Sequence, residues 1–319
     1  MIDKEYWDGF YKFWDWFVQE WFNGRSNTLG SSEYDGCNYG AISGAYNSCT
    51  QGLNFDELPE PYLGRPDKGV KAVIINLNPG MLQSDKLDES LERQKLYTWK
   101  DTYCGNGPFV TRSLIRDFAE DYNMRYSKFL QKWSCLNSQY RQPDTDLCGV
   151  KWWQGNNPKR IGGKRIPWMR RIYQTNIEPE EVFALELCPY HSIGFGFNNR
   201  DSEAKTLVKF IAEQVIKPAA TVVIENHLPF AVAVGKGIAD ILDEIVGEFA
   251  KEWSYKTPKN ERKYRLYVVR TCDGQKAKII VTWLKNNRGI PAPGKTFVCA
   301  ERQIREDCGM SSGLCAGLS

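Results

Sequence analysis

Aromatic side chains stand at positions 7, 10, 14, 17 and 21, the spacing of one helical face, while Asp8, Lys12, Asp15 and Glu20 fall between them. The pattern predicts a helix over about residues 1–23 packed on the body of the protein, with binding to a membrane surface as the alternative. Asp3, Lys4 and Glu5 interrupt it further, so the segment holds neither the apolar centre of a signal peptide nor a membrane span. A different pattern occupies Lys71 to Leu77. Five of the six residues from Ala72 to Leu77 are apolar, and Asn78, Pro79 and Gly80 follow at once. A run that stops so abruptly is a buried strand ending at a sheet edge, and Asn78 is what it delivers there.

The rest of the chain alternates in the same way. Gly24 to Gly52 is rich in Gly, Ser and Asn and is expected to be loop. The prolines of Leu58 to Pro66 enforce an extended approach to the first strand. A long insertion, about residues 87–179, mixes helical pattern with basic, aromatic and turn-rich stretches. Glu181 to Ser192 predicts a second buried strand broken by Pro189, and Ala204 to Ile216 an amphipathic helix. Apolar runs within Ala220 to Phe249 end on Gly235 and give way to another helix. Lys263 to Arg270 and Lys276 to Leu284 close with two strands joined by the turn Thr271 to Gln275, and the tail beyond Arg305 is expected to fray. Strands alternating with helices predict one α/β domain over residues 1–319, three layers with a central, mostly parallel sheet. In such sheets ligands gather at the carboxyl edge, so Asn78, Glu186 and the residues after Trp283 are expected to converge there.

Composition narrows the chemistry. The 319 residues carry a net charge of +3, so any nucleic-acid signal must be local. Ten cysteines without a C-x-x-C pair, and only two histidines, suit reduced thiols in a cytoplasmic protein and offer no zinc or iron–sulfur spacing. Neither a G-x-G-x-x-G nor a Walker-type phosphate loop occurs, which argues against an enzyme of small nucleotides.

Three segments resemble one known family. Leu58 to Gly80, LPEPYLGRPDKGVKAVIINLNPG, is similar to the entry and first motif of bacterial members of the uracil-DNA glycosylase superfamily. Its Asn-Pro-Gly ending is similar to that of the mismatch-specific uracil and thymine branch. LELCPYHS (Leu185 to Ser192) resembles the second strand and following loop, and FAVAVGKGIADIL (Phe230 to Leu242) a later strand–Gly–helix unit.

The resemblance implies that Asn78 holds the water that attacks the anomeric carbon, by positioning rather than deprotonation. The alternative is an asparagine that only caps a turn. It implies that Gly80, where strict uracil enzymes place tyrosine, leaves the pyrimidine C5 side open, with Met81 beside it; a glycine needed for backbone shape is the other reading. Glu186 lies where the second strand supplies a base-reading residue. A carboxylate suits the exocyclic amine of cytosine, and an ion-paired structural glutamate is the alternative. His191 is a base contact, a proton donor or a structural histidine. Tyr103 and Phe109 either sandwich an extruded base or belong to the core. The family's closing His-Pro-Ser is absent, and Asn286, Asn287 and Arg288 stand in its place.

Asn157 to Gln174 holds Lys159, Arg160, Lys164, Arg165, Arg170 and Arg171 among Trp168, Tyr173 and glycines. This composition suits a loop that follows phosphates and stacks on unpaired bases, against the default of a solvated surface loop. The expected protein is a monomeric cytoplasmic DNA glycosylase without metal or cofactor, whose partner is duplex DNA and not a membrane. It would flip out a non-standard base and leave an abasic site. The open C5 side, the insertion and the missing His-Pro-Ser argue for something other than ordinary uracil, and resemblance to anti-phage bacterial members of the superfamily implies a C5-modified cytosine of phage DNA, such as glucosylated hydroxymethylcytosine, in antiviral defence. Uracil or thymine in mismatches is the repair alternative. A DNA-binding module that kept the fold without turnover is the rival class.

Overall fold

The computed structural model describes residues 4–24, 33–51, 53, 59, 61–63, 66, 69–77, 165–177, 181–190, 192, 194–197, 203–256, 261–271, 273–284 and 295–310. Helix α1 (Lys4–Gly24) is followed by a small hairpin, β1 (Glu33–Tyr34) and β2 (Cys37–Asn38), and by α2 (Tyr39–Cys49). The short strands β3 (Thr50–Gln51) and β4 (Tyr62–Leu63) precede β5 (Ala72–Asn76). Helix α3 (Arg165–Tyr173) comes before β6 (Val182–Glu186) and β7 (Gly194–Phe195). Helix α4 (Ala204–Ile211) runs through a π-helical turn (Ala212–Ile216) into α5 (Lys217–Glu225). Then come β8 (Ala231–Val234), α6 (Lys236–Val246), β9 (Lys251–Lys256), β10 (Glu261–Arg270), β11 (Lys276–Leu284) and α7 (Lys295–Asp307).

Seven strands form one sheet in the order β4-β6-β5-β8-β11-β10-β9. The four central strands β6, β5, β8 and β11 run parallel, β4 is antiparallel to β6, and β10 and β9 are antiparallel on the far side. This is an α/β fold, parallel at its centre with antiparallel strands added at both edges. Every residue of β5, β6 and β8 is buried, which is why these strands are apolar runs rather than alternating ones.

Helices cover both faces. Rings of α1 pack on β6 and β4: Trp7 and Phe10 on Phe183, Phe10 and Tyr11 on Tyr62. Farther along α1, Trp14 and Phe17 meet Phe210 of α4, and Phe17 meets Tyr39 of α2. The helix expected from the aromatic spacing is thus a core element, and each such ring contributes up to about 1.5–3 kcal/mol by burial. Helix α6 lies on the same face, where Tyr267 Oη donates to the carbonyl of Ala239 at 3.2 Å. The opposite face carries α3 and α7: Lys278 of β11 donates to the carbonyl of Cys308 at 2.8 Å, and Trp253 of β9 to Asp307 at 2.9 Å.

Two local expectations are corrected. Gly24 to Gly52 is not all loop, because Asn38 Oδ1 accepts from the Ala41 amide at 2.9 Å and caps α2, whose Tyr39, Ile42, Tyr46 and Cys49 share one buried side. The segment Thr221–Glu225 belongs to α5, and the π-helical turn before it removes the clash that Pro218 would have with the preceding turn of a regular helix. The chain beyond Arg305 is tied down as far as Met310, whose amide donates to the Arg305 carbonyl at 2.9 Å, and residues 311–319 lie outside the described ones. No helix among the described residues is long and apolar enough to cross a membrane.

Candidate functional site

Strand β5 lies between β6 and β8, so the chain leaves it to one side and later returns to the other. That reversal is a topological switch point, and in open α/β sheets its carboxyl edge is where ligands bind. The ladder continues past the strand ends: the Leu187 amide donates to the Asn76 carbonyl at 2.8 Å and the Cys188 amide to the Leu77 carbonyl at 3.0 Å. The backbone is therefore held up to Leu77, the residue before Asn78.

Helix α6 begins at the same edge. Gly235 has φ +136°, a conformation that disfavours any side chain, and its amide donates to the Thr282 carbonyl at 3.0 Å. A Cβ on Gly237 would stand 3.1 Å from Leu77 and 3.2 Å from Phe195. The two glycines let the first turn of α6 close directly onto Leu77, which gives the Gly-Lys-Gly of the sequence its physical reason.

Helix α2 holds the chain that follows β6. Tyr46 Oη donates to the Leu187 carbonyl at 2.6 Å, Tyr190 Oη donates to Tyr39 Oη at 3.0 Å, and Ser43 lies 2.9 Å from Tyr190 Oη. Burial pushes the phenols of Tyr46 and Tyr190 well above their usual range, so both stay protonated hydrogen-bonding groups. Burial also pushes the Cys188 thiol up, against the hydrogen bond to the Tyr190 carbonyl; it is a packing residue and not a thiolate nucleophile.

On the other face a row of polar side chains crosses the strand ends. Asn76 and Glu186 are register partners, 1% and 2% exposed, and Asn76 Nδ2 donates to Glu186 Oε1 at 3.3 Å. Arg165, at the start of α3, donates from Nε to Asn76 Oδ1 at 2.8 Å. Burial pulls its guanidinium down to about 9, and the Glu186 carboxylate holds it up. Farther along, Arg262 Nη1 donates to Thr282 Oγ1 at 3.1 Å, and burial lowers its pKa against the pull of Tyr264 and Glu301. Glu301 of α7 takes a bidentate pair from Arg171, at 2.5 Å from Nε and 2.8 Å from Nη2, and a third bond from Trp168 Nε1 at 3.2 Å. Among the described residues no group of three or more His, Cys, Asp or Glu side chains is placed to hold a metal ion.

Of the residues expected from sequence, Glu186 is at the carboxyl end of its strand, and its carboxylate accepts a hydrogen bond from Asn76 inside the protein. Arg165, Arg170 and Arg171 are corrected in their setting alone. They stand on a helix and not a loop. Arg165 bonds Asn76, Arg170 Nε donates to the Ile177 carbonyl at 2.8 Å, and Arg171 is paired with Glu301. Trp168 and Tyr173 are buried and cannot stack on a base from where they are. Asn78, Gly80, Met81, Tyr103, Phe109, Lys159, Arg160, Lys164, His191, Asn286, Asn287 and Arg288 lie outside the described residues. Sequence reasoning passed over Asn76 and Thr282, although each is a lone polar residue near the end of an apolar run, and that is the signal that marks them. Comparison of the chain with protein-family models, with curated proteins and with solved structures finds no match.

Proposed function

We propose that the protein is a DNA glycosylase of the uracil-DNA glycosylase type, which extrudes a non-standard base from duplex DNA and hydrolyses its glycosidic bond. One observation carries the reading. The buried strand β5 ends at Asn76, Leu77 after it lies on the switch-point edge shared with the end of β6 and the start of α6, and Asn78-Pro79-Gly80 follows directly in the chain. A carboxamide entering there is suited to orient a water beneath a deoxyribose, and orientation is the only help a neutral amide gives to an attacking water. Gly80 in place of a bulky residue favours a substituted C5 position. The substrate of this reading is accordingly a C5-modified cytosine such as the glucosylated form in phage DNA. Phosphate contacts fall to Lys159, Arg160 and Lys164, and to Asn286, Asn287 and Arg288, since the three arginines of α3 already have partners within the protein.

Mass spectrometry of bases released from duplexes carrying uracil, a G·T mismatch or glucosylated hydroxymethylcytosine tests the reading. Release of the modified cytosine, reduced about a hundredfold or more in Asn78→Ala with DNA affinity retained, is the expected result. Release of uracil alone moves the substrate to repair. Salt-dependent DNA binding without release of any base replaces the enzyme with a binding module.

A further inference from the structure

Asn76 is an anomaly in β5. Ala72, Val73, Ile74 and Ile75 are apolar, and a fifth of the same kind would bury more easily than an amide. Its side chain is also locked in one orientation. Arg165 only donates hydrogen bonds and an ionised Glu186 only accepts them, so Oδ1 must face the guanidinium and Nδ2 the carboxylate, as observed at 2.8 and 3.3 Å. A flipped amide would set like against like on both sides. The guanidinium and the carboxylate thus meet through the amide, and the last register pair of β5 and β6 is held from the α3 side.

From the opposite face, Leu77 is packed against Gly235 and Gly237, and its carbonyl accepts from Cys188. Two residues of chain reach at most about 7 Å. The peptide that enters Asn78 therefore starts from a short segment fixed on both faces of the sheet. Arg165 also follows Lys164 directly, so a residue of the basic segment is the one that grips the strand edge.

We infer that Arg165 is a positioning residue: by holding Asn76 against Glu186 it fixes the end of β5, from which the chain continues into Asn78. This rests on the glycosylase reading and assigns Arg165 a role distinct from phosphate binding. The effect belongs to the chemical step and not to DNA affinity.

Single-turnover base release, duplex-DNA affinity and thermal melting of the full chain, with the three duplexes named above as probes, distinguish the outcomes. Arg165→Gln is expected to slow release about a hundredfold, the scale of a displaced reacting group, with little change in affinity. Arg165→Lys, which keeps the charge and a donor for Asn76, recovers part of the rate. The double variant Arg165→Gln/Glu186→Gln restores charge balance; it regains melting temperature relative to Arg165→Gln but stays slow. A rate that returns together with stability in the double variant makes the trio merely structural and overturns the inference. So does weakened affinity with an unchanged rate, which returns Arg165 to phosphate binding. Where Arg165→Gln does not fold, the double variant against Glu186→Gln decides the same point. Wild-type protein silent on every duplex overturns the glycosylase reading itself and this inference with it, whereas active wild type with an equally active Arg165→Gln overturns the inference alone.

Discussion

The two faces of the central sheet are filled with different material. Under α1, α2 and α4 the space is occupied by rings, with Trp7, Phe10, Trp14, Phe17, Phe183 and Phe210 meeting mostly edge to face. Under α3 and α7 it holds guanidinium groups, carboxylates and an amide, with Asn76, Glu186, Arg262 and Glu301 all no more than 2% exposed. Ring packing is favourable in many arrangements and tolerates repacking. A buried hydrogen-bonded network has few satisfactory arrangements, and its members are costly when one is lost. The aromatic face is therefore the source of stability, and the polar face fixes where the strand ends point.

Breaking one member on each face separates these roles, and this is the largest effect expected. Trp14→Ala leaves a hole among Phe10, Phe13, Phe17 and Phe210 and should cost about 3–5 kcal/mol in denaturant unfolding. Arg171→Met strands the fully buried Glu301 with only its Trp168 bond from α3 and should cost a similar amount, about 3–5 kcal/mol. The second change separates the faces. Arg171→Met/Glu301→Leu removes both charges and should recover most of the loss, because a buried ion pair contributes little net stability over apolar residues of similar volume. No partner substitution of comparable simplicity refills the hole left by Trp14. A double variant as unstable as Arg171→Met would show that the network is itself a source of stability and that the contrast between the faces is wrong.

The two faces also differ in how much of them the sequence disclosed. The aromatic face was legible because its signal is periodic and local: five rings at helical spacing predict α1, and the apolar runs predict β5, β6 and β11. The polar face was not, because its members come from six separate elements and each looks ordinary alone. Arg165 and Arg171 stood in a basic stretch that composition assigns to a surface loop. Only tertiary contacts show the first against Asn76 and the second against Glu301, 130 residues away. Asn76 and Thr282 gave a legible sign, a polar residue inside an apolar strand, but their partners were not predictable from it. The candidate site was legible to the same extent: the strand that ends at Leu77 and the edge it shares with Glu186 followed from pattern, whereas the engagement of Glu186 by Asn76 did not.

Helix α2 tests the aromatic side on a smaller scale. Its glycines and serine disguised it as loop, and the Asn38 cap together with buried Tyr39, Ile42 and Tyr46 sustains it. Asn38→Ala removes the bond to the Ala41 amide and should lower stability by about 1 kcal/mol. Because α2 holds the chain after β6 through Tyr46 and Tyr190, amide exchange at Leu187, Cys188 and Tyr190 should quicken in this variant while that of β10 and β11 stays unchanged. Uniform acceleration would mean that α2 unfolds only with the whole protein.

The smallest effect is expected at the rim, where the same charge types are exposed. Glu252 is held below the usual carboxylate range by its hydrogen bond from Arg265, and Asp307 by its bond from Lys251. Both pKa values are depressed on folding, so the stability these groups contribute is present above the unfolded value, near pH 4, and is lost as pH falls through the folded values below it. Unlike Glu301 they face solvent, so salt screens them and side-chain freedom opposes them. Melting temperature followed from neutral to acid pH should show a shallow decline in this window. Glu252→Gln and Asp307→Asn should each flatten it slightly, and raised ionic strength should do the same to wild type. A decline as steep in the double variant as in wild type would place the acid-sensitive carboxylates elsewhere in the protein.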